Sequence, residues 1–384
     1  MNTSLQDLKK EVVDLVEQHK RELTSISDWL KLNPEIGHQE YLASWLLASY
    51  AEDEGMNVER RIAGLETAFR ATSLGEKERP VVALMAEYDA LPEVGHGCGH
   101  NIIAASTVGA AVALHKIMPR VNGSLVLLGC PAEEDIVENA GGKIIMVEKG
   151  VFDEIDCAMM VHPSPDVSYM KRSSSMGRVG LQLSFVRHPL TNRDNMSRAA
   201  AALSSYIDDL NKNRSFRIIV EKINKPVDHI DFTMKLDASD VSTVLELTCK
   251  LTSEAEKIAT DSEVSVFHRQ FTNTYADMTW NSVLTDAFKQ NLIELGEQPI
   301  SHIDRPNIGD EGNVSHVVPT ICTWIRISDR TLPNHSREFA DATLSQSGHD
   351  GIILGAKALA MTTVDIFTDT KLLEDAKREF SQSK

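Results

Sequence analysis

Six residues could do chemistry together. In "EYDALPEVGHGCGHN" (87–101), Cys98 and His100 sit in a loop bracketed by Gly95, Gly97 and Gly99, directly after the apolar run "VVALMA". Glu133 and Glu134 follow "SLVLLGCPA", His162 ends "CAMMV", and His335 follows "TICTWIRI" by a loop. Thiolate, imidazole and carboxylate form the donor inventory of a transition-metal site. Each residue alone has a plainer reading. A Cys-x-His pair in a loop arises by chance, and adjacent glutamates are a common solvated helix start. His162 beside Pro163 fits a strand end, and His335 in "PNHSREF" fits a helix-capping loop. Their shared placement after apolar strands favours the metal. In an open α/β sheet the carboxyl ends of the strands share one edge, and ligands bind there.

The paired glutamates have a physical logic. Neighbouring side chains on an extended segment point in different directions. One carboxylate can hold a metal while the other faces water made acidic by it, taking a proton and later giving it to a leaving amine. A rival reading makes Cys98 a nucleophile activated by His100. It is the weaker one, because residues i and i+2 of a tight loop need not face each other and the glutamates would have no role.

The elements that must position these groups can be read in outline. Leu5, Leu8, Val12, Leu15 and Val16 recur at helical spacing, and helix continues to about Leu32, where Pro34 stops it. "YLASWLLASYAEDEG" predicts a second helix with Gly55 as its C-terminal cap. Short apolar strands ("VVALMA", "GSLVLLGC", "DCAMMVHP") then alternate with helices ("IIAASTVGAAVALHKI", "GKIIMVEKGVF"). That alternation predicts an α/β domain with a mainly parallel central sheet flanked by helices. From "RVGLQLSFV" to "SEVSVFHRQF" the order becomes β-α-β-β-α-β, a split βαβ, ferredoxin-like α+β unit. The expected organisation is one α/β domain over 1–178 and 275–384 with an insert at 179–274.

A chain of 384 residues fits two domains, and its net charge of −17 disfavours nucleic acid and anionic membranes as partners. The N-terminus lacks a signal-peptide core, and the most apolar window, 102–115, is short for a membrane span. Five scattered cysteines argue against a disulfide framework and for a reducing compartment, with the cytoplasm expected.

Five segments in order, "EYDALPEVGHGCGHN", "GCPAEE", "GVFDEIDCAMMVHP", "GDEGNVSHVVPT" and "NHSREF", resemble the zinc aminoacylase/carboxypeptidase family of metallo-amidohydrolases. The nearest branch holds aminobenzoyl-glutamate hydrolase, the indole-acetyl-amino-acid hydrolases and aminoacylase-like dipeptidases. The resemblance covers roughly 1–178 and 275–370. It implies a catalytic domain with an inserted lid, a homodimer through that lid, and cleavage of an amide bond in an N-acyl amino acid, dipeptide or related conjugate. It further implies two divalent ions held by Cys98, His100, Glu134, His162 and His335, with Glu133 as general base and Asp89 in support. Sulfur favours zinc, while the mixed donors also admit manganese, cobalt or nickel. His349 in "SGHDGIIL" competes with His335 for the distant ligand, and "NHSREF" is the better motif match.

The chain also departs from the family pattern. Asn33 replaces the usual histidine before Pro-Glu, and "PAEEDIVENAGGK" carries extra residues. In the lid, "LSFVRHPLTNRDNMSRAAAAL" lacks the family's Gly-Lys-x-Ala-His-Ala segment, leaving only His188 available as a candidate for the oxyanion-binding role. The substrate-holding Asn-Ile-Ile-Pro segment is replaced by "EKINKPVDHIDFTMKLD". A family member that binds an acyl-amino-acid-like ligand or a partner without hydrolysis, or acts on an unusual metabolite, is the alternative.

Overall fold

The computed structural model describes residues 4–164, 168–169, 176–189, 192–298, 300–301 and 307–383. Helices α1 (Leu5–Gln18), α2 (Lys20–Leu32) and α3 (Tyr41–Asp53) open the chain. Strands β1 (Asn57–Arg60), β2 (Phe69–Leu74) and β3 (Val81–Glu87) lead to α4 (His100–Ile117), β4 (Ser124–Cys130), α5 (Gly142–Glu148) and β5 (Cys157–Ser164). After the short β6 (Ser168–Tyr169) come β7 (Gly177–Val186), α6 (Arg193–Leu210), β8 (Phe216–Asn224), β9 (His229–Ala238), α7 (Val241–Asp261) and β10 (Ser265–Gln270). The chain closes with α8 (Ser282–Glu294), β11 (Ile300–Ser301), α9 (Glu311–Ser315), β12 (Thr320–Arg326), α10 (Arg337–Ala342), α11 (Gln346–Thr368) and α12 (Thr370–Gln382).

The central sheet runs β1-β2-β4-β3-β5-β12. Strands β4, β3, β5 and β12 are parallel, so their carboxyl ends meet at one rim. Glu87 lies beside Cys130 and His162 beside Trp324 in that register. These strands are apolar on both faces because helices cover both. Strand β2 adds antiparallel to β4, and β1 to β2. The sequence reading contains neither strand. Asn57–Arg60 is a polar, mostly exposed edge with no apolar alternation, and Phe69–Leu74 alternates over only six residues. The first helical stretch is also broken at His19, which leaves helical geometry.

The small-residue helix α4 buries everything except His115 and Lys116. It is the core layer between the sheet and helices α1, α2 and α11. Small residues permit that close approach: a Cβ on Gly109 would lie 2.5 Å from Leu23 Cδ1 of α2. The helix extends beyond the apolar window seen in the sequence, and its length and composition would suit a membrane span, yet most of it is enclosed by protein. Gly55 does cap α3, at φ +106 with its N–H on Glu52 O.

A second, antiparallel sheet runs β10-β7-β9-β8. Val179, Leu181, Leu183 and Phe185 alternate inward from β7 onto α6 and α7, forming a separate core. Arg178 at the inner end of β7 bridges Tyr275 and lines the same cleft as Glu87 at the end of β3, which brings that end of β7 to the rim of the central sheet.

Candidate metal centre

Strand β3 ends in alternation, so Glu87 and Asp89 share a side and Tyr88 takes the other, its hydroxyl donating to Thr67 O at 2.5 Å. The loop then turns tightly. Gly99 has φ +78, and a Cβ there would lie 2.4 Å from Pro163 Cγ, so a larger residue would displace the neighbouring strand end. This close fit brings Cys98 and His100 against β5. His100 Nδ1 donates to Asp89 Oδ1 at 2.9 Å, which turns Nε2 towards Glu87 Oε2 (3.5 Å) and Glu133 Oε2 (3.6 Å).

After β4 the backbone kinks at Ala132, a non-glycine residue at φ 53. Glu134 N–H donates to Asp89 Oδ2 at 2.9 Å, so one aspartate orients both His100 and Glu134. Tyr275 hydroxyl donates to Glu133 O at 2.7 Å. At the end of β5, His162 Nδ1 donates to Pro163 O at 2.9 Å and its ring lies 4.5 Å from Trp324. Its Nε2 is thereby presented to Cys98 Sγ at 3.4 Å. His335 arrives from the distant segment at φ 58, its N–H on Gly97 O at 2.9 Å and its Nε2 3.6 Å from Glu134 Oε1.

The ligand atoms of Cys98, His100 and His162 lie within 4.8 Å of one another, and so do those of Cys98, Glu134 and His335. Two triads therefore share one sulfur. His349 is elsewhere, on α11, with Nε2 2.8 Å from Asp28 Oδ1. His188 is not brought to the centre within this chain. It is exposed just beyond β7, with Nε2 3.2 Å from Ser265 Oγ. From Arg178, which lines the cleft, to Val186 the strand runs roughly 26 Å at its usual rise, and His188 lies further still. The distance follows from β7 remaining one straight strand.

Sequence reasoning missed Glu87, Asp310, Glu311 and Lys143. Glu87, Glu133, Asp310 and Glu311 place carboxylate oxygens within 4.8 Å of one another. Lys143, wholly buried, bonds through Nζ to Glu87 and Asp310, and its N–H donates to Asp310 Oδ2 at 2.8 Å. Glu87 and Asp310-Glu311 stood inside quoted motifs without a role. Lys143 stood in the helix "GKIIMVEKGVF" without a role.

A cleft of about 260 Å³ opens onto these groups, with Asp135, Arg178 and Trp324 in its wall. Burial pushes His162 down to about 4 and lowers His335, so both are neutral, the form that ligates. Burial also works against a charged His100, yet Asp89 and Glu87 hold it up at about 10. Burial, then Glu134 and Glu133, push the Cys98 thiol well above its ordinary range. A self-activated Cys–His nucleophile requires the opposite field. Burial, then Glu87 and Glu134, raise Glu133; burial lifts Glu134 to about 7 against the pull of His100.

His100 Nε2 and Glu134 Oε1 are buried without a hydrogen-bond partner among the described residues. Native interiors rarely leave such atoms bare. Each belongs to one of the two triads, so sulfur, imidazole and carboxylate donors converge where protein hydrogen bonds are missing. The residues present fit divalent metal ions.

A family model described as peptidase family M20/M25/M40 matches residues 83–349. The Xaa-Arg dipeptidase of Mus musculus is 29% identical over 408 residues, which cover 98% of this chain and 93% of the relative. One of the subunits of the Escherichia coli p-aminobenzoyl-glutamate hydrolase is 23% identical over 471 residues, covering 98% and 96%. Among solved structures, a dinuclear metal binding peptidase from the M20 family of Bacillus subtilis superposes with a TM-score of 0.70 at 18% identity, over 92% of this chain and 99% of that one. That superposition shows a shared fold.

Proposed function

The chain belongs to the peptidase family M20/M25/M40, and we propose that it is a binuclear metal-dependent amidohydrolase cleaving the amide bond of a dipeptide or related conjugate. The observation that carries this reading is the pair of ligand triads sharing Cys98. Cys98, His100 and His162 would hold one ion, and Cys98, Glu134 and His335 the other. Ions there would supply Lewis acidity and lower the pKa of water towards neutrality.

The chain's own residues do the rest. Glu133 takes a proton from the attacking water as oxygen bonds to the carbonyl carbon. It returns that proton to the amide nitrogen as the C–N bond breaks. Burial among Glu87 and Glu134, which raises its pKa, makes it both an effective base and a competent acid. Asp89 fixes the ligating nitrogen of His100 and the backbone of Glu134 together. Arg178, the cationic residue in the cleft wall among the described residues, is committed to Asp135 and Asp237. Apart from the ions it would hold, the cleft wall is therefore acidic, and Asp135 and Glu311, carboxylates outside the two ligand triads, support a substrate carrying an ammonium or guanidinium group over a purely anionic N-acyl amino acid. The similarity to a dipeptidase supports the same choice.

Hydrolysis of a panel of dipeptides and N-acyl amino acids, with zinc or manganese and with chelator, tests the reading. Glu133→Gln should keep its metal content and lose about 10²–10⁴-fold in kcat, the usual weight of a general base. Unchanged turnover in Glu133→Gln dismisses the assignment. The remote position of His188 favours one second reading, a ligand-binding protein that keeps its metals without hydrolysis. Bound metal with no turnover on any substrate would support that reading.

A further inference from the structure

Glu40 is fully buried at the start of α3 and takes no part in the cleft wall. A carboxyl group is seldom taken wholly out of water without a purpose, because desolvating its polar atoms is costly. Its Oε1 accepts from Ala132 N–H at 2.7 Å and its Oε2 from Thr67 Oγ1 at 2.9 Å. Ala132 is itself fully buried and sits in the left-handed region at φ 53, a conformation an alanine adopts only under constraint. Without Glu40, Ala132 N–H would be an interior donor with nothing to bond.

Ala132 is the residue from which Glu133 and Glu134 are presented. Other bonds hold the segment at different points. Gly141 N–H donates to Ala132 O at 2.7 Å, Tyr275 hydroxyl to Glu133 O at 2.7 Å, and Glu134 N–H to Asp89 at 2.9 Å. The loop that carries Glu40 packs directly beneath, since a Cβ on Gly37 would lie 3.0 Å from Ala132 Cα. We infer that Glu40 is a positioning residue: it holds Ala132 in its left-handed turn and thereby aims the carboxylates of Glu133 and Glu134. Its kinetic consequence rests on the metallo-hydrolase reading; its consequence for metal geometry does not. If Ala132 relaxed to an extended conformation, the following peptides would rotate and carry both carboxylates away from their present directions.

The test compares Glu40→Ala, Glu40→Gln and Thr67→Val in the full chain, loaded with zinc for kinetics and with cobalt(II) for absorption spectra. Glu40→Ala should lower kcat by about 10–100-fold, the range for partners that orient metal ligands, with KM nearly unchanged. It should also alter the d–d bands of the cobalt form. Glu40→Gln keeps an acceptor for Ala132 N–H and should retain the wild-type spectrum and rate. Thr67→Val removes only the other bond of Glu40 and should do the same. Should Glu40→Ala not fold, Glu40→Asp replaces it, keeping a carboxyl group but withdrawing it from Ala132. A wild-type cobalt spectrum in Glu40→Ala or Glu40→Asp overturns the inference. So does a loss in Thr67→Val as large as theirs, which would mean general packing. If the wild type hydrolyses nothing, the cobalt spectra still decide, so failure of the hydrolase reading and failure of the positioning role are told apart.

Discussion

Lys143→Met removes one cation from the floor of the centre while keeping most of the length of the side chain. The ammonium is wholly buried between Glu87 and Asp310, which are themselves buried. Removing one partner of a buried pair costs about 3–5 kcal/mol, because the other charge remains unpaired. Two carboxylates are left here, but the loss does not double. Burial already lifts Asp310 to about 6 against the pull of Lys143, and Glu87 lies below its ordinary range only because Lys143 and the nearby histidines outweigh its burial. Without the lysine both take up protons, and protonation caps the penalty. At roughly 2.1 cal/mol/K per residue, unfolding 384 residues carries an entropy of about 0.8 kcal/mol/K, so the melting temperature should fall by about 4–6 °C. Calorimetric melting of the chelated protein at pH 7 reads this directly. The sign of the pH dependence is a second check. In the variant both carboxyls have folded pKa values above the unfolded ones, so its stability rises as pH falls from 7 to 5. The gap to wild type should narrow over that range. A variant melting within about 1 °C of wild type at pH 7, far inside the expected shift, would refute the reasoning. A gap indifferent to pH would do the same.

Glu40 should leave its own mark on stability. Burial, then Asp89, raise its pKa from 4.5 to about 8. A raised carboxyl contributes full stability below its unfolded value and loses it as pH climbs towards the folded one. The melting temperature of the chelated wild type relative to Glu40→Gln should therefore decline between pH 5 and 8; a difference that does not change with pH would count against the burial. Metal uptake should also displace protons, because ligands bind deprotonated. His100 is held at about 10 and the Cys98 thiol well above its ordinary range, so each gives up one proton at pH 7, while Glu134, at about 7, gives up about half of one. Calorimetric zinc titration at pH 7, repeated in buffers of different ionisation enthalpy, should show release of roughly two to three protons. A His100→Ala variant that releases as many protons as wild type would remove His100 from the ligand set.

Much of the centre could be read before folding. Apolar runs such as "SLVLLGC" and "CAMMV" must be buried on both faces, which implies a parallel sheet under helices. A parallel sheet brings the residues after such runs to one rim. Cys98, Glu133, Glu134, His162 and His335 were legible for that reason, because each stands in the last residues of a strand, just after one or in a loop that follows one. Glu87 was less so, as a carboxylate ending a strand has no periodic signature. Strands β1 and β2 were invisible because a polar edge pair carries little apolar pattern.

Residue chemistry and local period are properties of the chain taken alone, and they settled the donor types, the ends of the buried strands and the order of most elements. Which face of α5 turns inward is a different matter. Lys143 becomes an internal cation only because that short helix packs where Glu87 and Asp310 converge. The left-handed turn at Ala132, the buried reach of Glu40 to it and the remoteness of His188 likewise depend on how segments far apart in sequence are brought together or kept apart. Sequence pattern reports what each residue prefers, whereas burial, orphaned donors and shared ligands arise only when distant segments close around the same small volume.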